Sequence, residues 1–527
     1  MKNLMTHTLR ILFAASFLGF LTGCMPNKTY RANPSVVAVP PPPKLPSPAS
    51  QLPPSGPCVG PLTEVSAPNP SGPCLAFIEF DDLGEARVKD SIGRAAQLLH
   101  AEDLVRAAVL ADPIHQPVVL VFIHGWQHNA DPGPPEDPNI QGFKVVLNNL
   151  YRRDYVGHVV VGISITWRGA LISPYWPVAH VLSYFNREQT AYRVGNTSVT
   201  DALMRISAIA HPPHTDTDPN QPLLIFIGHS FGGLLLERAL SQAFIRQMDE
   251  QYEDKKQRAA KAANAAPDTR APGLSAAQAQ ADIQNETFTK FADLVVYVNP
   301  AGAATESKQV LDYLASHGVT YSSEDTPRLS AQLPLFVSIS TPTDAATTTA
   351  LRAGHTISGL GYKANRGFRE KTPITCYNPA TNVISRDDSQ SQWDFWVKAS
   401  PHLEAIQSHT VIDYGAPKRA PDVNSCPVLS PGMPGFDAYA REAIPGHCLA
   451  IVRRTVNGAP ACNGTPYWIM ETIPSVLPDH GTIFTDRMIN FIGFFLPRAD
   501  DQGNIPTPQL RFHPMARQPD LFNGPTP

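Results

Sequence analysis

The chain has no surplus of positive charge: 42 Lys and Arg stand against 46 Asp and Glu, a formal net charge of −4 over 527 residues. That balance argues against a nucleic-acid partner, whose phosphates reward clustered cations. The apolar run nearest the N-terminus, Ile11 to Leu21, is shorter than the roughly 20 residues a bilayer-spanning helix needs. Metal ligands are also missing where histidines gather. His124 and His128 have no carboxylate or cysteine beside them, so a zinc-type site there lacks its donors. The stretch His211-Pro-Pro-His214-Thr-Asp216-Thr-Asp218 is too rich in prolines and turn formers for a metal site and reads as an exposed loop. No apolar lid helix marks a dedicated lipase.

What is present is a stretch around which the chain is organised, Pro222-Leu-Leu-Ile-Phe-Ile-Gly228-His229-Ser230-Phe231-Gly232-Gly233-Leu234. Apolar residues without alternation predict a strand buried on both faces. From Leu234 the apolar spacing becomes helical. Gly228-x-Ser230-x-Gly232 between them has the pattern of a nucleophile elbow, a turn so sharp that the serine is strained and its neighbours two away must be small. A bland glycine-rich turn would not need a buried strand before it and an apolar helix after it.

A serine needs a base, an orienting acid and an oxyanion site. Pro117 to Ile123 is a second apolar strand, followed by His124-Gly125-Trp126-Gln127-His128-Asn129-Ala130. Further strands are expected at 75–80, 159–165, 294–298, 335–340 and 467–473, with helices at 91–110, 143–151, 185–210, 308–316 and 484–496. Five motifs occur in one order: Ile78-Glu79-Phe80-Asp81-Asp82, the His-Gly-Trp-x-His-Asn-Ala stretch, Trp167-Arg168-Gly169, Gly-His-Ser-Phe-Gly-Gly and Val298-Asn299-Pro300-Ala301. Together they resemble a bacterial and fungal branch of the α/β-hydrolase superfamily, well over 75–344 and loosely beyond. The resemblance implies an α/β fold, a mostly parallel sheet flanked by helices, and a serine-hydrolase plan; it supplies no substrate. It places the oxyanion donors on the backbone N–H groups of Trp126 and Phe231. It also places an orienting acid just past the strand ending at Ser340, where Asp344 stands, and the base between last strand and last helix, where His480 stands. Asp344 could instead cap the turn that follows it. Asp325 is the reserve acid, upstream of its strand; His402, His409 and His447 are the reserve bases.

The N-terminus reads as an address. Lys2 and Arg10 flank a polar start, and the apolar run ends Leu21-Thr22-Gly23-Cys24, which suits a secretory signal. A small residue before a cysteine resembles the lipobox of bacterial lipoproteins. That resemblance implies cleavage after residue 23, a diacylglyceryl thioether on Cys24 and acylation, by palmitate for example, of the new terminus. Met25, not an aspartate, follows, which by the enteric sorting rule points to the outer membrane. Residues 24–73 are proline-rich and read as a tether holding the globular part off the membrane.

The core is expected over 74–350, with a charged helical insertion at 249–290 lying away from the site. A cap or rim insertion follows over 351–465, then the last strand and helix over 466–497 and a proline-rich tail over 498–527. Of the 7 cysteines, Cys24 is the lipid carrier. The other six, an even number outside the cytoplasm, point to disulfides. Cys58 and Cys74 share a Ser-Gly-Pro-Cys context and are expected to pair; Cys376, Cys426, Cys448 and Cys462 would staple the rim, in any of three connectivities. The expected chemistry is cleavage of a small-molecule or lipid ester by an envelope-anchored enzyme without metal or cofactor. The rival readings are a catalytically silent binding or scaffold lipoprotein, and peptidase, thioesterase or acyltransferase chemistry on the same three residues.

Overall fold

A computed structural model of the chain describes residues 27–31, 37–38, 72–111, 116–170, 177–212, 221–264, 288–302, 304–317, 319–322, 333–344, 346, 374–378, 383–387, 408–413, 441–444, 447–453, 455–456, 459–460, 465–493, 495–496 and 509–512. In strand Val118–Ile123 every residue is buried, and the side chains divide by parity. Val119, Val121 and Ile123 enter one apolar cluster, while Val118, Leu120 and Phe122 enter another. A strand covered on both faces must divide its side chains this way.

The strands are β1 Val37–Ala38, β2 Cys74–Glu79, β3 Val118–Ile123, β4 Val160–Thr166, β5 Leu223–His229, β6 Leu294–Val298, β7 Val319–Ser322, β8 Phe336–Ser340, β9 Ile374–Asn378, β10 Val383–Asp387, β11 His409–Asp413, β12 Arg441–Ile444, β13 His447–Arg453, β14 Thr455–Val456, β15 Ala459–Pro460, β16 Tyr467–Glu471 and β17 Gln509–Phe512. Eleven of them form one sheet in the order β1-β2-β4-β3-β5-β6-β8-β16-β11-β13-β12. From β2 through β11 all neighbours pair in parallel. The pairs β1–β2, β11–β13 and β12–β13 are antiparallel.

One face is covered by α1 Ala96–Ala111, α3 Pro177–Gly195, α4 Ser198–Ala210, α5 Phe231–Asn264 and α6 Ala304–Ser316. The other is covered by α2 Pro138–Asn149 and α7 Asp486–Ile492. The fold is therefore α/β, a mostly parallel sheet between helical layers. The C-terminal ends of its parallel strands lie along one edge, and in such sheets ligands bind there.

Four expectations change. The helix expected over 185–210 is two helices, broken between Gly195 and Ser198. A Cβ on Gly195 would lie 2.8 Å from the Leu235 carbonyl oxygen, so close packing on α5 places a glycine at the break. The charged segment after 249 begins as a continuation of the helix that starts at Phe231, because nothing before Pro267 interrupts good helix formers. Its residues Gln247 and Gln251 bond Thr289, ahead of β6, at the strand N-terminal end.

Within the segment expected as a rim, β11, β12 and β13 extend the sheet beyond β16. Val411, Leu449 and Ile451 are buried in the second cluster, each worth about 1.5–3 kcal/mol. Part of the proline-rich segment also does not stand off from the core. β1 pairs with β2, and the buried Glu79 carboxylate accepts from the backbone N–H groups of Tyr30 (2.9 Å) and Arg31 (2.7 Å). A buried carboxylate needs such donors, and composition alone does not reveal who supplies them. Cys74 is disulfide-bonded; Cys24, Cys58, Cys426 and Cys462 lie outside the described residues, as do the side chains of Cys376 and Cys448.

Candidate active site

Ser230 joins β5 to α5 with φ of 56°, a left-handed conformation that costs a serine about 1–3 kcal/mol. Its neighbours hold it there: Ser230 N donates to the Val298 carbonyl (3.1 Å), and Ala301 N donates to the Ser230 carbonyl (3.1 Å). The glycines are required by close approach. A Cβ on Gly228 would come within 2.6 Å of the Gly232 carbonyl oxygen, and one on Gly232 within 2.2 Å of the Ile123 carbonyl oxygen.

The structure brings together three side chains from distant points of the sequence. Ser230 Oγ lies 2.8 Å from His480 Nε2, and His480 Nδ1 lies 2.8 Å from Asp344 Oδ2. The carboxylate partner fixes the proton on Nδ1, which leaves Nε2 to accept from the serine hydroxyl. Asp344 is fully buried, while the His480 side chain is 26 % exposed. Asp344 also caps its turn: its Oδ1 accepts from Ala346 N at 2.9 Å. Its two oxygens thus serve different partners, one the His480 ring and the other the turn that follows. Thr343 Oγ1 donates to the Pro478 carbonyl at 2.8 Å, tying the acid's loop to the histidine's.

The loop after β3 runs against the serine. A Cβ on Gly125 would sit 2.7 Å from Ser230 Cβ, so only glycine passes. His124 aims the next peptide. Its Nε2 accepts from Trp167 N at 3.2 Å, so its Nδ1 carries the proton and donates to the Gly125 carbonyl at 3.0 Å. In a trans peptide the N–H points opposite to the C=O, so holding the Gly125 oxygen on one side turns the Trp126 N–H to the other. Burial pushes His124 down to about 4, which keeps the ring neutral for this task. Phe231 is the first residue of α5, where backbone N–H groups have no partner within the helix. Trp167-Arg168-Gly169 braces the loop: Gln127 N donates to Gly169 O (3.0 Å), and Gly169 N donates to His128 O (3.1 Å). His128 bonds Asp137 at 3.0 Å, so it serves the loop.

Sequence reasoning missed two supports. His229 is buried; its Nε2 donates to the backbone carbonyl of His480 at 2.7 Å, and burial with the nearby His480 holds it neutral, well below its ordinary range. Asn299 has φ of 43°, donates from Nδ2 to Asp479 O at 3.2 Å and accepts from Thr341 N at 3.2 Å. It thereby stitches the ends of β6 and β8 to the histidine loop. Both residues stand in motifs that carry the resemblance, His229 in Gly-His-Ser-Phe-Gly-Gly and Asn299 in Val298-Asn299-Pro300-Ala301, but the motifs alone did not give their roles.

One of the reserve residues is described with its side chain. His409 is fully buried, stacked on Trp468 with ring centroids 4.2 Å apart and bonded to Ser408. His402 and Asp325 are outside the described residues, as is the side chain of His447. His211, expected in an exposed loop, is buried against Asp293 at 3.1 Å. Among the described residues no cluster could hold a metal ion. A cavity of about 380 Å³ between α2 and α7 is lined by Phe122, Phe143, Ile227 and Phe484 on the sheet face opposite α5, and touches none of Ser230, Asp344 and His480. On the other face, the aromatic rings of the two residues expected as oxyanion donors meet on a third: Tyr184 lies 4.9 Å from Phe231 and 5.6 Å from Trp126, centroid to centroid. Compared with protein-family models, with curated proteins and with solved structures, the chain finds no match, so any functional reading must rest on this geometry.

Proposed function

We propose that the protein is an envelope-anchored serine hydrolase of the α/β-hydrolase type that cleaves carboxylic esters. The observation that carries the reading is the unbroken chain Ser230 Oγ, His480 Nε2, His480 Nδ1, Asp344 Oδ2, with both links at 2.8 Å. Order along the chain supports it, with the serine after β5, the acid after β8 and the base after β16.

In this reading Ser230 Oγ attacks the ester carbonyl as its proton passes to His480 Nε2. Asp344 holds the ring's tautomer and steadies the imidazolium. The N–H groups of Trp126 and Phe231 receive the negative charge that develops on the carbonyl oxygen. His480 then returns its proton to the leaving alcohol, and an acyl-serine remains. Water, deprotonated by the same Nε2, attacks that acyl group, and as the acyl–Oγ bond breaks His480 passes the proton to Ser230 Oγ, releasing the carboxylic acid and the free serine.

The test is hydrolysis of p-nitrophenyl esters, with circular dichroism as the folding control. Ser230→Ala and His480→Ala are each expected to lower turnover by about three or more orders of magnitude, and Asp344→Asn by somewhat less. The double change Ser230→Ala with His480→Ala should cost little more than the worse single one, because the groups act as a unit. Normal turnover by a folded His480→Ala protein would contradict the reading. Turnover of amides or thioesters in place of esters would move it to the other acyl-transfer chemistries.

A further inference from the structure

Residues Asn27 to Arg31 are bound at the same end of the sheet as Ser230. Asn27 Oδ1 accepts from the Arg87 guanidinium at 2.6 Å. Tyr30 and Arg31 cap Glu79, the last residue of β2. Arg31 Nε donates to Ala130 O at 3.0 Å, in the loop that runs past Ser230, and its guanidinium pairs with Glu136 at 2.8 Å. β2 and β5 are three strand spacings apart in the sheet, roughly 15 Å. Tyr30, the residue held at the end of β2, is six residues from Cys24, about 20 Å of chain at most, so a lipid on Cys24 would enter the bilayer within roughly 35 Å of the serine, at the catalytic end of the sheet.

The loop beside that anchor is shaped for an interface. It makes two turns of one design, Asp81-Asp82-Leu83-Gly84-Glu85 and Asp90-Ser91-Ile92-Gly93-Arg94. In each, the first aspartate's Oδ1 accepts from the residues two and four further on, and the glycine has positive φ. Each turn raises an apolar residue at its tip: Leu83 is 62 % exposed and Ile92 74 %. Exposed large apolar side chains are few among the described residues, and these two flank Arg87, the residue that holds Asn27. Lys89 and Arg94 are exposed in the same loop but each is paired with a carboxylate of it, Glu85 at 3.1 Å and Asp90 at 2.7 Å, so the apolar tips rather than free cations would make the contact with a bilayer. The first turn is rigid, because Asp82 is clamped by Arg187 at 2.7 Å and Gly84 is packed against Thr197.

We propose that the 81–94 loop is a membrane-contacting rim. With the Cys24 lipid it sets the catalytic end of the sheet on the bilayer, so the ester taken by Ser230 is a membrane-resident one. This rests on the lipid-anchor and hydrolase readings above, and it replaces the picture of a tether holding the domain away from the membrane.

The test uses the full lipidated chain reconstituted into vesicles of phosphatidylethanolamine and phosphatidylglycerol. Tryptophan is placed at Leu83 (Leu83→Trp) or, as a control at the strand N-terminal end, at the exposed Val156 (Val156→Trp). Quenching by acyl-brominated lipid is read against the wild-type tryptophans. Extra quenching at Leu83→Trp and none at Val156→Trp is expected. In a second arm, Leu83→Asp with Ile92→Asp should slow hydrolysis of a vesicle-embedded long-chain ester about tenfold, while leaving that of a short soluble ester unchanged. Quenching at neither position in protein that floats with the vesicles would overturn the proposal, as would quenching at Val156→Trp alone. Protein that fails to float and carries no lipid on Cys24 would overturn it by removing the anchor. Absence of all ester hydrolysis would strike the hydrolase reading and the substrate claim, while the quenching arm would still report on the rim.

Discussion

At the scale of single residues, two buried histidines hold backbone around the candidate site. His229 presents Nε2–H to the His480 carbonyl at 2.7 Å, and so fixes where the base's backbone sits. His229→Ala is expected to lower kcat about tenfold or more while moving KM less than twofold, since only the base's position changes. His229→Gln, which keeps an N–H donor, should recover part of the loss. Equal effects on kcat and KM, or none, would contradict this role. His124 makes a pH prediction. Burial lowers it from an ordinary 6.5 to about 4 in the folded chain, so on acidification the unfolded chain takes up the proton first. The stabilisation from a neutral His124 is complete above about pH 6.5 and is lost as pH falls towards 4, up to about 3 kcal/mol. His229, shifted the same way, adds to it. Urea unfolding at pH 7 and pH 4.5 should show this loss in the wild type and a smaller one in His124→Asn. The same slope in both proteins would remove His124 from the explanation.

At the scale of elements, the elbow is held by backbone against backbone. A Cβ on Gly232 would stand 2.2 Å from Ile123 O and 2.5 Å from His124 O, and neither atom can move without breaking β3. Gly232→Ala should therefore destabilise the chain by about 3 kcal/mol or more, read as a fall in melting temperature or loss of soluble protein. A second contrast separates a structural histidine from a catalytic one. His409 is stacked on Trp468 in the sheet, so His409→Ala should lower the melting temperature and leave ester turnover per folded molecule within about twofold. A large drop in kcat without loss of stability would return His409 to the site. These elements also show what was legible in advance. Unalternating apolar runs such as Val118–Ile123 announced their strands, and the glycines around Ser230 announced the turn, because burial on both faces and backbone contact each demand particular residues. Strands β11 to β13 were hidden: β11 and β12 are short, all three lie among prolines and glycines, and they owe their place to partners across the sheet. The break at Gly195 was hidden for a similar reason, since it is α5, far along the chain, that forbids a side chain there.

At the scale of the molecule, the sheet order places Ser230, Asp344 and His480 after the C-terminal ends of β5, β8 and β16, with β6 between the first two, and motifs spaced along the chain prove to touch one another. Asp82 of the first motif pairs with Arg187 and Arg168, and Trp167 bonds His124. The site was legible because each member follows a recognisable strand. The docking of the N-terminal segment was not, because a proline-rich stretch reads as spacer whatever its ends bind. Glu79→Ala should free that segment: limited proteolysis should cut within 27–38 faster, while hydrolysis of a soluble ester stays unchanged. Unaltered proteolysis would mean that Glu79 does not hold it. The central claim, that Ser230 is activated by His480, is tested most directly by reaction with a fluorophosphonate followed by intact-mass and peptide analysis. One phosphonyl adduct per chain is expected, on Ser230, and none on that residue in folded His480→Ala protein. No adduct in the wild type, or one on another residue, would contradict it.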